Sequence, residues 1–142
     1  MKILIDADGC PVVDQCIQTG REVVLVCDSA HWFEREGAKT VIVSTGPDSA
    51  DFALVNLAKK GDLVVTQDYG LAAMCLAKRT RVLNQDGMEY TDDNIEALLL
   101  SRHTSRKIRR AGGRLKGPPK RTAKQDADFI EALNKVLVEA GE

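Results

Sequence analysis

Five aspartates hold the chemistry this chain could perform. Asp6 closes the apolar run Lys2–Asp6, Asp8 follows two residues later, Asp28 follows Val23–Cys27, and Asp68 follows Leu63–Thr66. Asp51 falls in the first turn of a helical pattern that begins at Asp48 or Ser49, with Asp48 as the alternative cap. Carboxylates gathered on one edge repel one another unless protons or a cation compensate, and hard oxygen donors suit Mg²⁺ or Mn²⁺. Such ions activate water and stabilise a leaving oxygen in displacement at phosphorus. Aspartate is also the ordinary residue of turns and caps. Asp8-Gly9 and Asp68-Tyr69-Gly70 each read as a turn on their own. Only their convergence on one edge would make them a site.

The elements that must position these residues follow from periodicity. Lys2–Asp6, Val23–Cys27, Thr40–Val43, Leu63–Thr66 and Arg81–Leu83 read as strands. Their near-continuous hydrophobicity is that of strands covered on both faces, and their alternation with helical patterns predicts a mostly parallel sheet in an α/β sandwich. In such sheets ligands bind outside the carboxyl ends of the strands, where the aspartates lie. Helices are expected from Pro11 to Gly20, from Asp48 or Ser49 to Gly61, over Leu71 to Ala77, and from Thr91 through Leu100. Thr122 with Gln125 has the pattern of a capping box, opening a last helix whose apolar stripe Phe129, Leu133, Val136 and Leu137 must dock on something.

At 142 residues and 44% hydrophobic content the chain fits a single domain, residues 1–142, able to bury a core without disulfides. Cys10, Cys16, Cys27 and Cys75 form no C-x-x-C pair, so zinc-site spacing is missing and reduced thiols are expected. No apolar run approaches the roughly 20 residues that span a bilayer, and a cytoplasmic location without membrane contact is expected.

The net charge of −1 hides an asymmetry: residues 1–101 hold 9 Lys+Arg against 16 Asp+Glu, and residues 102–142 hold 11 against 5. Residues 102–142 thus read as a basic, loop-and-helix C-terminal extension. Arg106, Lys107, Arg109, Arg110, Arg114, Lys116, Lys120 and Arg121 lie in a stretch from Arg102 to Lys124 without one acidic residue. Such a block could grip a nucleic-acid backbone without reading sequence, or fold back on the acidic half of the chain. Aromatic residues are scarce, at 4%, which argues against a dedicated stacking platform. His31 and Trp32 stand after Asp28 as rim or packing residues, and Gln67 and Tyr69 flank Asp68. Cys10 beside the acidic edge has no histidine nearby in sequence to activate it and reads as a buried thiol.

Three segments, Asp6-Ala7-Asp8-Gly9-Cys10-Pro11-Val12, Gly61–Ala72 with Thr66-Gln67-Asp68 at its centre, and Gly117-Pro118-Pro119-Lys120-Arg121-Thr122, resemble the YaiI/YqxD family of bacterial proteins across nearly the whole chain. That family is similar to the PIN-like nuclease domains. The likeness implies a single three-layer α/β domain and an acidic, Mg²⁺- or Mn²⁺-dependent phosphodiesterase site. Asp6 matches the aspartate that ends the first strand of PIN domains, Asp51 the one that opens a central helix, and Asp68 that of their Thr-x-Asp motif. Their further acidic residue on an earlier helix has no counterpart here; Asp8 or Asp28 would have to take its place.

Three functions are therefore expected in order. The first is a metal-dependent nuclease on RNA or DNA, RNA first, with Asp6, Asp8, Asp51 and Asp68 as catalytic metal ligands. The second is a non-catalytic nucleic-acid- or partner-binding protein. The third is a phosphatase, because Asp6-Ala7-Asp8 also resembles the nucleophile loop of haloacid-dehalogenase-like enzymes, where the first aspartate attacks phosphorus.

Overall fold

A computed structural model describes residues 1–44, 49–101 and 120–141. Six strands form one sheet: β1 (Lys2–Asp6), β2 (Glu22–Asp28), β3 (Lys39–Val43), β4 (Leu63–Val65), β5 (Arg81–Leu83) and β6 (Glu89–Tyr90). The order across the sheet is β3-β2-β1-β4-β5-β6. β1 to β5 run parallel, with Leu4 opposite Val24 and Val64, and β6 returns antiparallel to β5.

Side chains alternate across a strand, so one apolar run feeds two cores. Ile3, Ile5, Val23, Leu25, Leu63 and Val65 face α1 (Val13–Ile17) and the C-terminal helix over Ala123–Glu139. Leu4, Val24, Val26, Val64 and Val82 face α2 (Ser49–Leu57), α3 (Tyr69–Ala77) and α4, whose described part runs over 95–101. The C-terminal helix is α5. Full burial of each such aliphatic side chain contributes about 1.5–3 kcal/mol, which accounts for the three layers.

The expected helices are present, with α2 and α5 opening where expected, whereas α1 begins at Val13 rather than Pro11 and ends at Ile17, and α3 begins at Tyr69 rather than Leu71. Thr122 accepts the N–H of Gln125 at 3.3 Å, while the Gln125 side chain accepts the Thr122 N–H at 2.7 Å, a complete capping box. The apolar stripe of α5 docks on the sheet, so the C-terminal extension supplies part of the main core. Gly87, at φ +88°, permits that docking: a Cβ there would stand 2.6 Å from the Asp128 carbonyl oxygen. The regular part of α4 begins at 95, after a turn in which Ile95 N–H donates to the Thr91 carbonyl at 3.0 Å. The two-residue strand β6 was not expected, being too short for a period-2 signal. Asn84 holds its hairpin by accepting the N–H groups of Asp86 and Met88, each at 2.9 Å. Among the described residues no helix is long and apolar enough to cross a membrane.

Candidate functional site

Because β1 and β4 are parallel neighbours, with Ile5 opposite Val65, their carboxyl ends deliver Asp6 and Thr66 side by side. Thr66 is buried and donates its hydroxyl to Asp6 Oδ2 at 2.9 Å. The same hydroxyl oxygen accepts the Asp68 N–H at 3.0 Å. Asp68 caps α3, its Oδ1 accepting the N–H groups of Gly70 at 2.8 Å and Leu71 at 3.2 Å. From behind, the Tyr90 hydroxyl donates to the Thr66 carbonyl at 3.2 Å. The chain then opens into a cavity of about 520 Å³ lined by Asp6, Asp8, Gly9, Cys10, Val65, Thr66, Gln67, Asp68, Tyr69 and Gln85.

Electrostatics set this cavity apart from the other end of the sheet. Burial pushes the Asp6 carboxyl above its ordinary value; the Thr66 hydrogen bond opposes this, and the charges of Asp68 and Asp8 push it further up. Among the described residues no basic group pairs with Asp6. At the opposite edge, burial would likewise raise Asp62, but Lys2 Nζ at 2.6 Å and the N–H groups of Lys2 and Lys59 hold it below the usual carboxylate range. Asp62 is thus a compensated structural aspartate, and Asp6 has no such basic partner among the described residues.

Cys10 faces the same cavity, and burial pushes its thiol up to about 11, so it stays protonated at neutral pH. One polar atom of the wall, Gln85 Oε1, is buried without a hydrogen-bond partner among the described residues. A donor such as an ordered water or a substrate hydroxyl would satisfy it.

Of the sequence-expected aspartates, the fold brings Asp6, Asp8 and Asp68 to one cavity. Asp51 does not line it; it lies at the start of α2, near enough for its charge to raise the buried Cys75 thiol, as the charge of Asp6 also does. Asp28 is occupied elsewhere, its Oδ1 accepting the N–H groups of Ala30 at 2.9 Å and His31 at 2.8 Å, with His31 Nδ1 at 2.9 Å. Among the described residues no group of three or more His, Cys, Asp or Glu is arranged to hold a metal ion.

Of the expected phosphate-gripping residues, Arg106, Lys107, Arg109, Arg110, Arg114 and Lys116, like the cap candidate Asp48, lie outside the described residues. Lys120 is exposed. Arg121 is engaged within the fold: its guanidinium donates to Asp126 at 2.7 Å, Asp86 at 2.8 Å and the Gln85 carbonyl at 2.6 Å. It ties the entry of α5 to the hairpin behind the cavity wall. Sequence reasoning assigned no role to Thr66, Gln85 or Tyr90. Thr66 had a signal in the Thr-x-Asp spacing; Gln85 and Tyr90 had none, since only the pairing of β5 with β6 brings them near.

The family model described as "Uncharacterized BCR, YaiI/YqxD family" matches residues 4–139. Among curated proteins, a UPF0178 protein of Exiguobacterium sibiricum is 54% identical over 141 residues, covering 98% of each chain. A UPF0178 protein of Natranaerobius thermophilus is 43% identical over 143 residues, covering 98% of this chain and 97% of its own. A third, of Clostridium acetobutylicum, is 42% identical over 144 residues, covering 97% of both. No solved structure matches. With its residues matched from 4 to 139 and relatives of the same length throughout, the chain belongs to the YaiI/YqxD family.

Proposed function

We infer that the acidic cavity serves metal-dependent hydrolysis of phosphodiester bonds in nucleic acid, RNA first, in a PIN-like arrangement. The observation that carries this reading is Asp6, a half-buried carboxyl with Asp8 and Asp68 lining the same cavity and no basic partner among the described residues. Structural aspartates are paired, as Asp62 is; a half-buried Asp6 whose carboxyl is raised by burial and by neighbouring carboxylates, with no basic partner among the described residues, is the arrangement expected where a cation binds.

The donor set fits Mg²⁺ or Mn²⁺. Mg²⁺ keeps several waters and is commonly held by one or two carboxylates together with substrate phosphates, so a ready cage of three side chains is not required. Asp6 and Asp68 would hold the ion, with Asp8 in the same cavity and Asp51 outside the immediate set. When bound, the ion would lower the pKa of a water and offset charge on the leaving oxygen. Thr66 fixes the Asp6 carboxylate through its hydroxyl, and the two N–H groups of α3 fix Asp68, so neither needs to reorganise as charge develops. Basic residues of 102–120 would hold the phosphate backbone.

The test is cleavage of labelled RNA and DNA oligonucleotides by metal-stripped protein with and without added Mn²⁺. Cleavage that requires Mn²⁺ and falls at least roughly 100-fold in Asp6→Asn is expected, because several kcal/mol of charge stabilisation would be lost. Cleavage unaffected by EDTA or by Asp6→Asn would defeat the reading.

The lack of a three-residue metal group among the described residues favours a second reading, a non-catalytic nucleic-acid-binding protein. It predicts RNA binding that survives Asp68→Asn, with no cleavage under any metal.

A further inference from the structure

The segment that leaves β2 lies beside the acidic cavity. Asp6 is opposite Val26, so the chain beyond Asp28 emerges next to the loop that follows β1, and His31 is near enough to Asp8 to feel its charge. Three hydrogen bonds to Asp28 Oδ1 fix this turn and the plane of the His31 ring, leaving its Nε2 without a partner among the described residues. Phe33 anchors the segment on the core and carries the Arg35 guanidinium 4.9 Å above its ring. Between the pinned turn and the anchored ring, Trp32 is 51% exposed and packs in neither core. It is the single tryptophan of the chain. Its neighbours include His31 and Arg35 as well as Glu34 and Glu36, so the segment is not a simple electrostatic patch. What it offers is a broad, exposed π-face between a hydrogen-bonded turn and an anchored ring, next to the acidic cavity.

We propose that Trp32, supported by the Asp28–His31 turn, is the seat for one unpaired base of a single-stranded nucleic acid whose backbone reaches the acidic cavity. Every base has a π-face, so one aromatic platform captures a strand without reading its sequence, and His31 Nε2 beside it is placed to meet a phosphate or base edge. This rests on the nucleic-acid reading of the site but not on hydrolysis.

The test is done in EDTA, which withdraws the divalent cation from the proposed metal-dependent cleavage. Single-stranded oligo-U and a duplex of equal length are titrated into the protein while its tryptophan emission is followed, and anisotropy of labelled oligo-U is read for Trp32→Ala and Trp32→Phe. Saturable quenching by the single strand with far less by the duplex is expected, with binding roughly 5- to 100-fold weaker in Trp32→Ala, the worth of one base–aromatic stack, and largely restored in Trp32→Phe. Equal quenching by duplex and single strand, or oligo-U affinity unchanged in Trp32→Ala, overturns the proposal. Quenching by the single strand and the loss of oligo-U affinity by anisotropy in Trp32→Ala, with no Mn²⁺-dependent cleavage in the parallel assay, support the seat while removing the hydrolytic reading.

Discussion

Thr66 Oγ1 lies 2.9 Å from Asp6 Oδ2, across 60 positions of sequence, and 3.0 Å from the backbone nitrogen of Asp68. One hydroxyl thus donates to the carboxyl at the end of β1 and accepts from the residue that caps α3. It couples the two aspartates most exposed to mutual repulsion, and it lowers the Asp6 pKa that burial raises.

Thr66→Val keeps the shape of the side chain and removes both bonds. A loss of about 1–3 kcal/mol is expected, since a buried acceptor and a backbone N–H are left without their partner. The Asp6 titration moves further up at the same time. Urea unfolding reads the first effect, and a carboxyl-carbon NMR titration reads the second.

Stability should depend on pH in a way that Asp6 governs with a definite sign. Its folded pKa is raised above the ordinary 3.8, so the folded state holds a proton that the unfolded chain has released. Its contribution is fully present below 3.8 and is lost as pH rises through the folded value. Asp62 is lowered and acts oppositely: its contribution is present above 3.8 and is lost as pH falls through its folded value. Asp6→Asn removes the uncompensated charge, so its urea midpoint should exceed that of the unsubstituted chain at neutral pH, with the gap closing as pH falls toward 3.8. A variant that is less stable at neutral pH would contradict the assignment of Asp6 as an uncompensated carboxylate.

Arg121 and Lys124 both sit at the entry of α5, yet their substitutions should differ. Arg121→Ala removes bonds to Asp86, Asp126 and the Gln85 carbonyl, and a cost of about 1–3 kcal/mol is expected. Lys124 makes an exposed i,i+4 pair with Asp128, and Lys124→Ala should cost about 0.3–0.5 kcal/mol at most. Arg121→Lys should not recover the loss, because an ammonium cannot reproduce the planar fork that spans three acceptors. Chemical unfolding of the three variants checks this.

Parallel strands and helix caps were legible because their signals are local. Lys2–Asp6 and Arg81–Leu83 are bounded as the apolar runs are, and Thr122 with Gln125 forms the box its spacing announces. β6 was not legible: two residues have no period, and Tyr90 is buried only because the hairpin turns it onto the core beside Leu71 and Ala72. At the site, Asp6 and Asp68 could be placed from the rule that ligands gather at the carboxyl ends of parallel strands. Asp28 obeys the same rule by position, yet its oxygens are taken up by its own turn and by His31. Position along a strand does not reveal whether a carboxylate closes on its own backbone or faces a shared cavity. Arg121 makes the same point from the basic side: its charge suggested a phosphate contact, whereas its partners are Asp86, Asp126 and a carbonyl that only the folded hairpin presents.

The central claim, that this cavity takes a divalent cation, is tested most directly by calorimetric titration of Mn²⁺ into metal-stripped protein and into the double variant Asp6→Asn, Asp68→Asn. Asparagine still caps α3 at position 68, so the variant should remain folded, as circular dichroism can verify. Saturable binding that the double variant loses is the predicted result. No saturable binding to the unsubstituted chain, or equal binding to both, would contradict it.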